Sequence, residues 1–168
     1  KCADLAGKKL IDVGCGAGFP GVPLKIANPT MELTLLDSLG KRMKWLETIL
    51  PALGVEAQCL TARAEEAVAT RRESYDVATS RAVARLPILL ELTAPYVKVG
   101  GKVLAMKGTA AKEELAEAAN AIKKLGLKLE EVKEFPIDGT NHAVIVLRKV
   151  APTPKQYPRR FAKMKQAP

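Results

Sequence analysis

The sequence predicts an α/β fold: a doubly wound, mostly parallel seven-stranded sheet that ends in an antiparallel hairpin. Three observations lead there. First, apolar strand-like runs alternate with helix-like runs five times between residues 9 and 125, the pattern of a parallel sheet with helices on both faces. Second, the alternation then stops, and two apolar runs at 127–137 and 143–147 are separated only by Asp138, Gly139, Thr140, Asn141 and His142. A parallel crossover needs roughly a dozen residues, so this pair must be a hairpin. Third, 168 residues, 48% of them hydrophobic and 27% charged, suit one domain with a real core and exclude a disordered or low-complexity chain.

The elements follow in order. Residues 9–13 read as a short buried strand that runs into a glycine cluster, and 20–27 as a helix with proline in its first turn, where a missing N–H is harmless. A second strand spans 31–36. Ser38 is placed to cap the next helix, where Leu39, Met43, Leu46, Leu50 and Leu53 recur at steps of four and three and form one apolar stripe. A third strand at 57–60 leads to a short helix at 65–70, and a fourth strand at 75–80 to a helix at 86–97. Gly100 and Gly101 turn the chain into a fifth strand at 102–106. Thr109 is placed to cap a long helix with Glu113 and Glu114 near its positive end and Leu115, Ala118, Ile122 and Leu125 on its inner face.

Residues 1–150 therefore make one domain. Residues 151–168 have prolines at 152, 154, 158 and 168 and no apolar periodicity, and they read as an extended basic tail. Lys155, Arg159, Arg160, Lys163 and Lys165 give this tail five of the chain's nine net positive charges, which favours a polyanionic partner. Its aromatic residues Tyr157 and Phe161 lie among the cations, a mixture that suits phosphates and unpaired bases. No apolar run approaches membrane-helix length, and no charged-then-apolar leader follows Lys1. Three cysteines (2, 15 and 59), no CxxC and a single histidine, His142, argue against a zinc site or disulfide framework and fit a reducing cytoplasm.

The chemistry concentrates at Asp12-Val-Gly14-Cys-Gly16-Ala-Gly18-Phe-Pro-Gly21, after the first strand and opening a helix. Open α/β sheets bind ligands at this edge. Gly14-x-Gly16-x-Gly18 suits S-adenosylmethionine (SAM), whereas Gly16-x-Gly18-x-x-Gly21 also fits a dinucleotide fingerprint. Asp37, about 20 residues further on, would accept from ribose hydroxyls in either case. Two features favour SAM: the reversed final strand, and Ala64-Glu65 after strand three, where a backbone amide and an acid can read adenine. Arg81 and Lys107 end strands four and five at the same edge. Either could meet a cofactor carboxylate, a nucleotide phosphate or guanine O6. Cys15, between glycines and without a histidine partner, reads as a loop filler rather than a nucleophile. Cys59 reads as core, His142 as a turn residue and Trp45 as packing or surface.

The segments DVGCGAGFPGVPLKIA, LLDSLGKRMKWLE, ARAEE, SRAVARLP, LAMKG and YPRR, in this order, resemble the RsmG (GidB) family of bacterial 16S rRNA guanine-N7 methyltransferases. The resemblance runs from about residue 8 to the end. It implies a class I, Rossmann-like SAM methyltransferase fold and methylation of guanine N7 in the 530 loop of 16S rRNA, free or in the small ribosomal subunit. Cofactor contacts from Gly14, Gly16, Gly18, Phe19, Asp37, Ser38, Ala64, Glu65 and Arg81 are implied, with RNA contacts from Lys107, Arg159, Arg160, Lys163 and Lys165. A cytoplasmic monomer is expected, with no metal and no membrane. The family's helical segment before the first strand is absent, and Asn141 and 161–164 depart from its pattern. N7 carries a lone pair and no proton, so no general base is needed, consistent with the lack of a nucleophile–base pair. Other functions share parts of this pattern: a methyltransferase of this fold on another RNA or a protein, an NAD-binding Rossmann oxidoreductase, and a non-catalytic RNA-binding module.

Overall fold

The computed structural model describes residues 3–81 and 83–166; Lys1, Cys2, Ala82, Ala167 and Pro168 lie outside the described residues. Seven strands form one sheet in the order β3-β2-β1-β4-β5-β7-β6. They are β1 (Lys9–Val13), β2 (Glu32–Asp37), β3 (Gln58–Thr61), β4 (Tyr75–Arg81), β5 (Val97–Lys107), β6 (Leu127–Ile137) and β7 (Thr140–Lys149). The first five are parallel, and β7 runs antiparallel to both β5 and β6.

β1 and β2 are buried on both faces after their first residue, which is why they read as unbroken apolar runs rather than alternating ones. On one face α1 (Gly21–Ala27) and α2 (Gly40–Ala52) cover the sheet, α2 packing Met43, Leu46 and Leu50 in one core with Leu10 and Leu35. On the other, α4 (Leu86–Thr93) packs Leu86, Leu89 and Leu90 against Ile11, Leu36 and Val103, flanked by α3 (Ala64–Ala67), α5 (Ala111–Glu117) and α6 (Ala119–Lys124). The chain passes from β1 to β2 on one side and returns to β4 on the other. This reversal opens a crevice at the carboxyl ends of β1 and β4.

Several expected elements differ in detail. The helix from Leu86 ends at Thr93; a 3-10 turn, Ala94–Tyr96, follows where Pro95 lacks an N–H, and Val97 already belongs to β5. Gly100 and Gly101 do not precede that strand but form a bulge inside it, with the register slipping between Tyr75–Val97 and Val77–Lys102. A Cβ on Gly101 would stand 2.5 Å from the Asp76 carbonyl oxygen, so the sheet needs glycine there. The long helix is broken at fully buried Ala118, so that α5 and α6 pack separately against α4. Neither Thr109 nor Ser38 caps a helix. The hairpin is tighter than expected: Ile137 pairs with Thr140 across the two-residue turn Asp138-Gly139, both at positive φ.

The C-terminal segment is the main correction. It is not an extended tail but a strap packed along the domain, ending in α7 (Phe161–Gln166). The Thr153 hydroxyl donates to the Leu125 carbonyl at 2.8 Å, and Arg72 donates to the Tyr157 carbonyl. Met164 is fully buried in the core of the α4 face.

Candidate functional site

The glycine loop leaves β1 and folds back on β2. Gly14 and Cys15 donate their backbone N–H groups to the Leu36 carbonyl at 2.8 and 3.1 Å. Gly16 donates to Asp37 Oδ2 at 2.9 Å, and Leu39 donates to Oδ1 at 2.9 Å. Each carboxylate oxygen thus receives one backbone donor and keeps a further lone pair. Asp37 ties the loop down and presents acceptors at the sheet edge. Gly14 has φ +68°, and a Cβ there would stand 2.5 Å from Val83 Cγ2. Only glycine permits both the left-handed turn and the close approach of the segment after β4.

Between this loop and α3 lies a cleft of about 170 Å³. Val13, Leu36, Ala64, Val83 and Leu92 form apolar walls, and Asp37, Ser38, Arg63 and Glu65 are its polar edge. The Ala64 carbonyl accepts from the Tyr96 hydroxyl at 2.5 Å, which fixes the start of α3 at the cleft. The predicted residues Gly14, Asp37, Ser38, Ala64 and Glu65 therefore meet around one cavity.

Arg81 and Phe19 meet beside it. The guanidinium lies 5.9 Å from the Phe19 ring centroid, and the ring is half exposed. Arg81 also borders a second concavity of about 550 Å³, lined by Met106, Phe135, Ile137 and His142 at the ends of β5, β6 and β7. Arg81 lines this second cavity and Val83 the first. His142 is stacked on Phe135 at 6.1 Å.

Lys107 departs from expectation. Its side chain is 7% exposed, its ammonium pairs with Glu114 at 3.0 Å and donates to the Ala84 carbonyl at 2.6 Å, and Glu114 also accepts from the Leu86 N–H at 2.8 Å. This pair pins the segment after β4 and engages the Lys107 ammonium within the protein, while Lys107 also lines the second concavity beside Arg81. Arg159 also points inward, forming a bidentate pair with buried Glu91 at 2.7 Å. The Lys165 ammonium lies 4.8 Å from the Phe161 ring centroid. Of the expected RNA contacts, Arg160, Lys163 and Lys165 stand exposed on the strap.

The cysteine chemistry is silent. Burial pushes the Cys15 thiol up to about 12, so it stays protonated, and it sits 4.0 Å from the Met43 sulfur. Among the described residues no group of histidine, cysteine and acidic side chains could hold a metal; Cys2 lies outside them. Trp45 is a half-exposed surface residue on α2.

Asp12 escaped the sequence reading. It is fully buried, and its Oδ2 accepts from the Gly21 N–H at 2.9 Å. Among the described residues Oδ1 has no hydrogen-bond partner, and neither does the hydroxyl of Thr79, its neighbour across the β1–β4 pair. Burial pushes this carboxyl up to about 7, partly offset by the Gly21 N–H and the positive charge of Arg81. The signal was present in the sequence, as an acid inside an apolar strand.

The residues fit S-adenosylmethionine. An apolar slot suits adenine, Asp37 offers acceptors to ribose hydroxyls, and the unpartnered oxygens of Asp12 and Thr79 leave buried polar capacity beside the glycine loop.

Comparison with known proteins agrees. The family described as GidB, rRNA small subunit methyltransferase G, matches residues 2–143. A ribosomal RNA small subunit methyltransferase G from Lactobacillus johnsonii is 47% identical over 157 residues, covering 90% of this chain and 66% of that protein. One from Clostridium kluyveri is 44% identical over 156 residues, covering 91% and 66%. The chain thus spans about two thirds of the length of these curated relatives. Among solved structures, the 16S rRNA (adenine(1408)-N(1))-methyltransferase W203A mutant from Catenulisporales acidiphilia superposes with a TM-score of 0.74 at 17% identity, covering 89% of this chain and 88% of that one. An rRNA methylase from Streptococcus thermophilus superposes with a TM-score of 0.64 at 16% identity, covering 89% and 90%. The fold is that of the class I SAM-dependent methyltransferases.

Proposed function

Since the chain belongs to the rRNA small subunit methyltransferase G family, we propose that it methylates N7 of a guanine in 16S rRNA with S-adenosylmethionine as donor. The target guanine is the 530-loop position that the family resemblance implies, and the substrate is 16S rRNA, free or in the small subunit. The reading carries with it a cytoplasmic monomer. Among the described residues no helix is long and apolar enough to cross a membrane.

The observation that carries this reading is Asp37. It ends β2, holds the glycine loop through Gly16 and the start of α2 through Leu39, and faces the cleft with lone pairs to spare. When bound, SAM supplies an activated methyl that N7 attacks in line, the sulfur leaving with the bonding pair as a neutral thioether while the purine takes the positive charge. The protein's task is then placement and exclusion of water. Asp37 accepts from the ribose, Ala64 and Glu65 border the adenine, and Val13, Leu36 and Val83 keep the slot dry. Arg81, beside Phe19 and lining the second cavity, meets either the methionine carboxylate or a target phosphate. The neutral thiol of Cys15 is consistent with chemistry that needs no protein nucleophile.

Calorimetric titration with SAM and with NADH, followed by tritiated-methyl transfer to small-subunit rRNA, tests the proposal. SAM binding with label at a guanine N7 is expected. NADH binding without SAM binding would point to an oxidoreductase, label on another position or molecule to a different methyltransferase, and RNA binding without transfer to a binding module; each would overturn the proposal. Asp37→Ala should weaken SAM binding about tenfold or more while the fold persists, since removing a buried charge-assisted acceptor typically loses about 1.5–3 kcal/mol.

A further inference from the structure

The cleft has one wall that comes from far along the chain. Its other lining residues lie between positions 13 and 92, but Phe161, the first residue of α7, also lines it. The ring is half-buried, packs against the α4-face core, and carries the Lys165 ammonium 4.8 Å from its centroid.

We propose that the C-terminal strap is a working part of the cofactor cleft: Phe161 supplies a wall against the purine of the bound nucleoside, and the Glu91–Arg159 pair positions it. This rests on the reading of the cleft as the SAM site. Three observations support it. Glu91 and Leu92 are neighbours on α4; Leu92 lines the cleft, and Glu91 holds Arg159, two residues before Phe161. Glu91 Oε1 accepts both the backbone N–H and Nε of Arg159, at 2.7 and 2.9 Å, and Oε2 accepts Nη2 at 2.7 Å, so the main chain as well as the guanidinium is fixed. Met164, one turn further on, is fully buried in the same core and anchors α7 beyond Phe161. The ring is therefore held between two anchors, lining a cleft whose other apolar walls are aliphatic. A flat aromatic face beside an apolar slot suits a purine, whose π-face stacks on such rings with little regard to its polar edge.

The test compares full-length wild type with Phe161→Ala, Phe161→Leu and Phe161→Tyr. Dissociation constants are measured for SAM and for 5′-methylthioadenosine, which keeps the adenine and ribose and lacks the amino-acid end. Phe161→Ala should weaken both ligands by about the same factor, roughly tenfold for one lost stacking partner. Phe161→Leu keeps apolar bulk for the core and should lose several-fold, whereas Phe161→Tyr should bind like wild type. If Phe161→Ala fails to fold, Phe161→Leu decides. Wild-type affinity in a folded Phe161→Ala or in Phe161→Leu overturns the proposal, as does a loss confined to SAM, which would place the ring at the amino-acid end. Wild type that binds neither ligand overturns the cofactor reading itself, an outcome distinct from binding that ignores Phe161.

Discussion

Replacing Arg159 with methionine should destabilise the whole domain. Glu91 is 6% exposed at its side chain and receives three guanidinium contacts, at 2.9, 3.2 and 2.7 Å, besides the Arg159 backbone N–H at 2.7 Å. Methionine keeps the backbone donor and much of the stem's packing, so the main loss is the counter-charge of a buried carboxylate. Breaking a buried pair from one side costs about 3–5 kcal/mol. The Arg159 side chain is 28% exposed, so water can enter and the lower end, about 3 kcal/mol, applies. At about 2–4 °C per kcal/mol for a chain of this size, the melting temperature should fall by roughly 6–12 °C. Thermal melts by far-ultraviolet circular dichroism measure this directly. The double variant with Glu91→Gln removes the stranded charge and should recover more than half of the loss. A melting temperature for Arg159→Met within about 2 °C of wild type, taking the lower end of that scale for less than 1 kcal/mol, would refute the reasoning and return Arg159 to the pool of free phosphate contacts.

Three other outcomes are expected. The Asp12 carboxyl titrates at about 7 in the folded chain against 3.8 unfolded, so between those values the folded state holds more protons and wild-type stability falls as pH rises. Asp12→Asn does not titrate, so urea melts should show its stability relative to wild type climbing from pH 4 to pH 8, by at most about 4 kcal/mol; a flat difference would contradict the burial argument. Gly14→Ala forces an L-residue to φ +68° with its Cβ 2.5 Å from Val83 Cγ2, at a conformational cost of about 1–2 kcal/mol before the clash. Its SAM affinity should fall about tenfold and partly recover with Val83→Ala, and wild-type affinity in the single variant would sink the close-packing account. Arg160→Gln with Lys163→Gln should lower the log–log salt slope of rRNA binding by about 1.4–1.8 and leave SAM affinity unchanged; an unaltered slope would remove both from the RNA surface.

The parallel sheet was legible because fully buried strands appear as short apolar runs, and the longest helix between them, α2, carries an apolar stripe. In α2 the buried positions Met43, Leu46 and Leu50 are the centre of the expected stripe, while flanking Leu39 and Leu53 are exposed. The hairpin followed from chain length alone. The ends of elements were less legible, because they depend on neighbours: Ala118 breaks a helix that its sequence would continue, and Gly100-Gly101 bulges a strand rather than starting one.

By itself the sequence determined the strand–helix order, the reversal at the hairpin and the loop of glycines facing Asp37, all set by short-range patterns of burial, backbone freedom and spacing. Only the tertiary structure decided what became of the isolated charges. Lys107 and Arg159 look like surface cations in one dimension, yet each turns inward to an acid, Lys107 to Glu114 and Arg159 to Glu91. The Arg159 pair ties a proline-rich basic segment to α4, two residues before Phe161, which lines the cleft. A charge's role is set by whichever opposite charge the fold brings within about 3 Å, and partners 68 residues apart, as Glu91 and Arg159 are, leave no periodic trace in the chain.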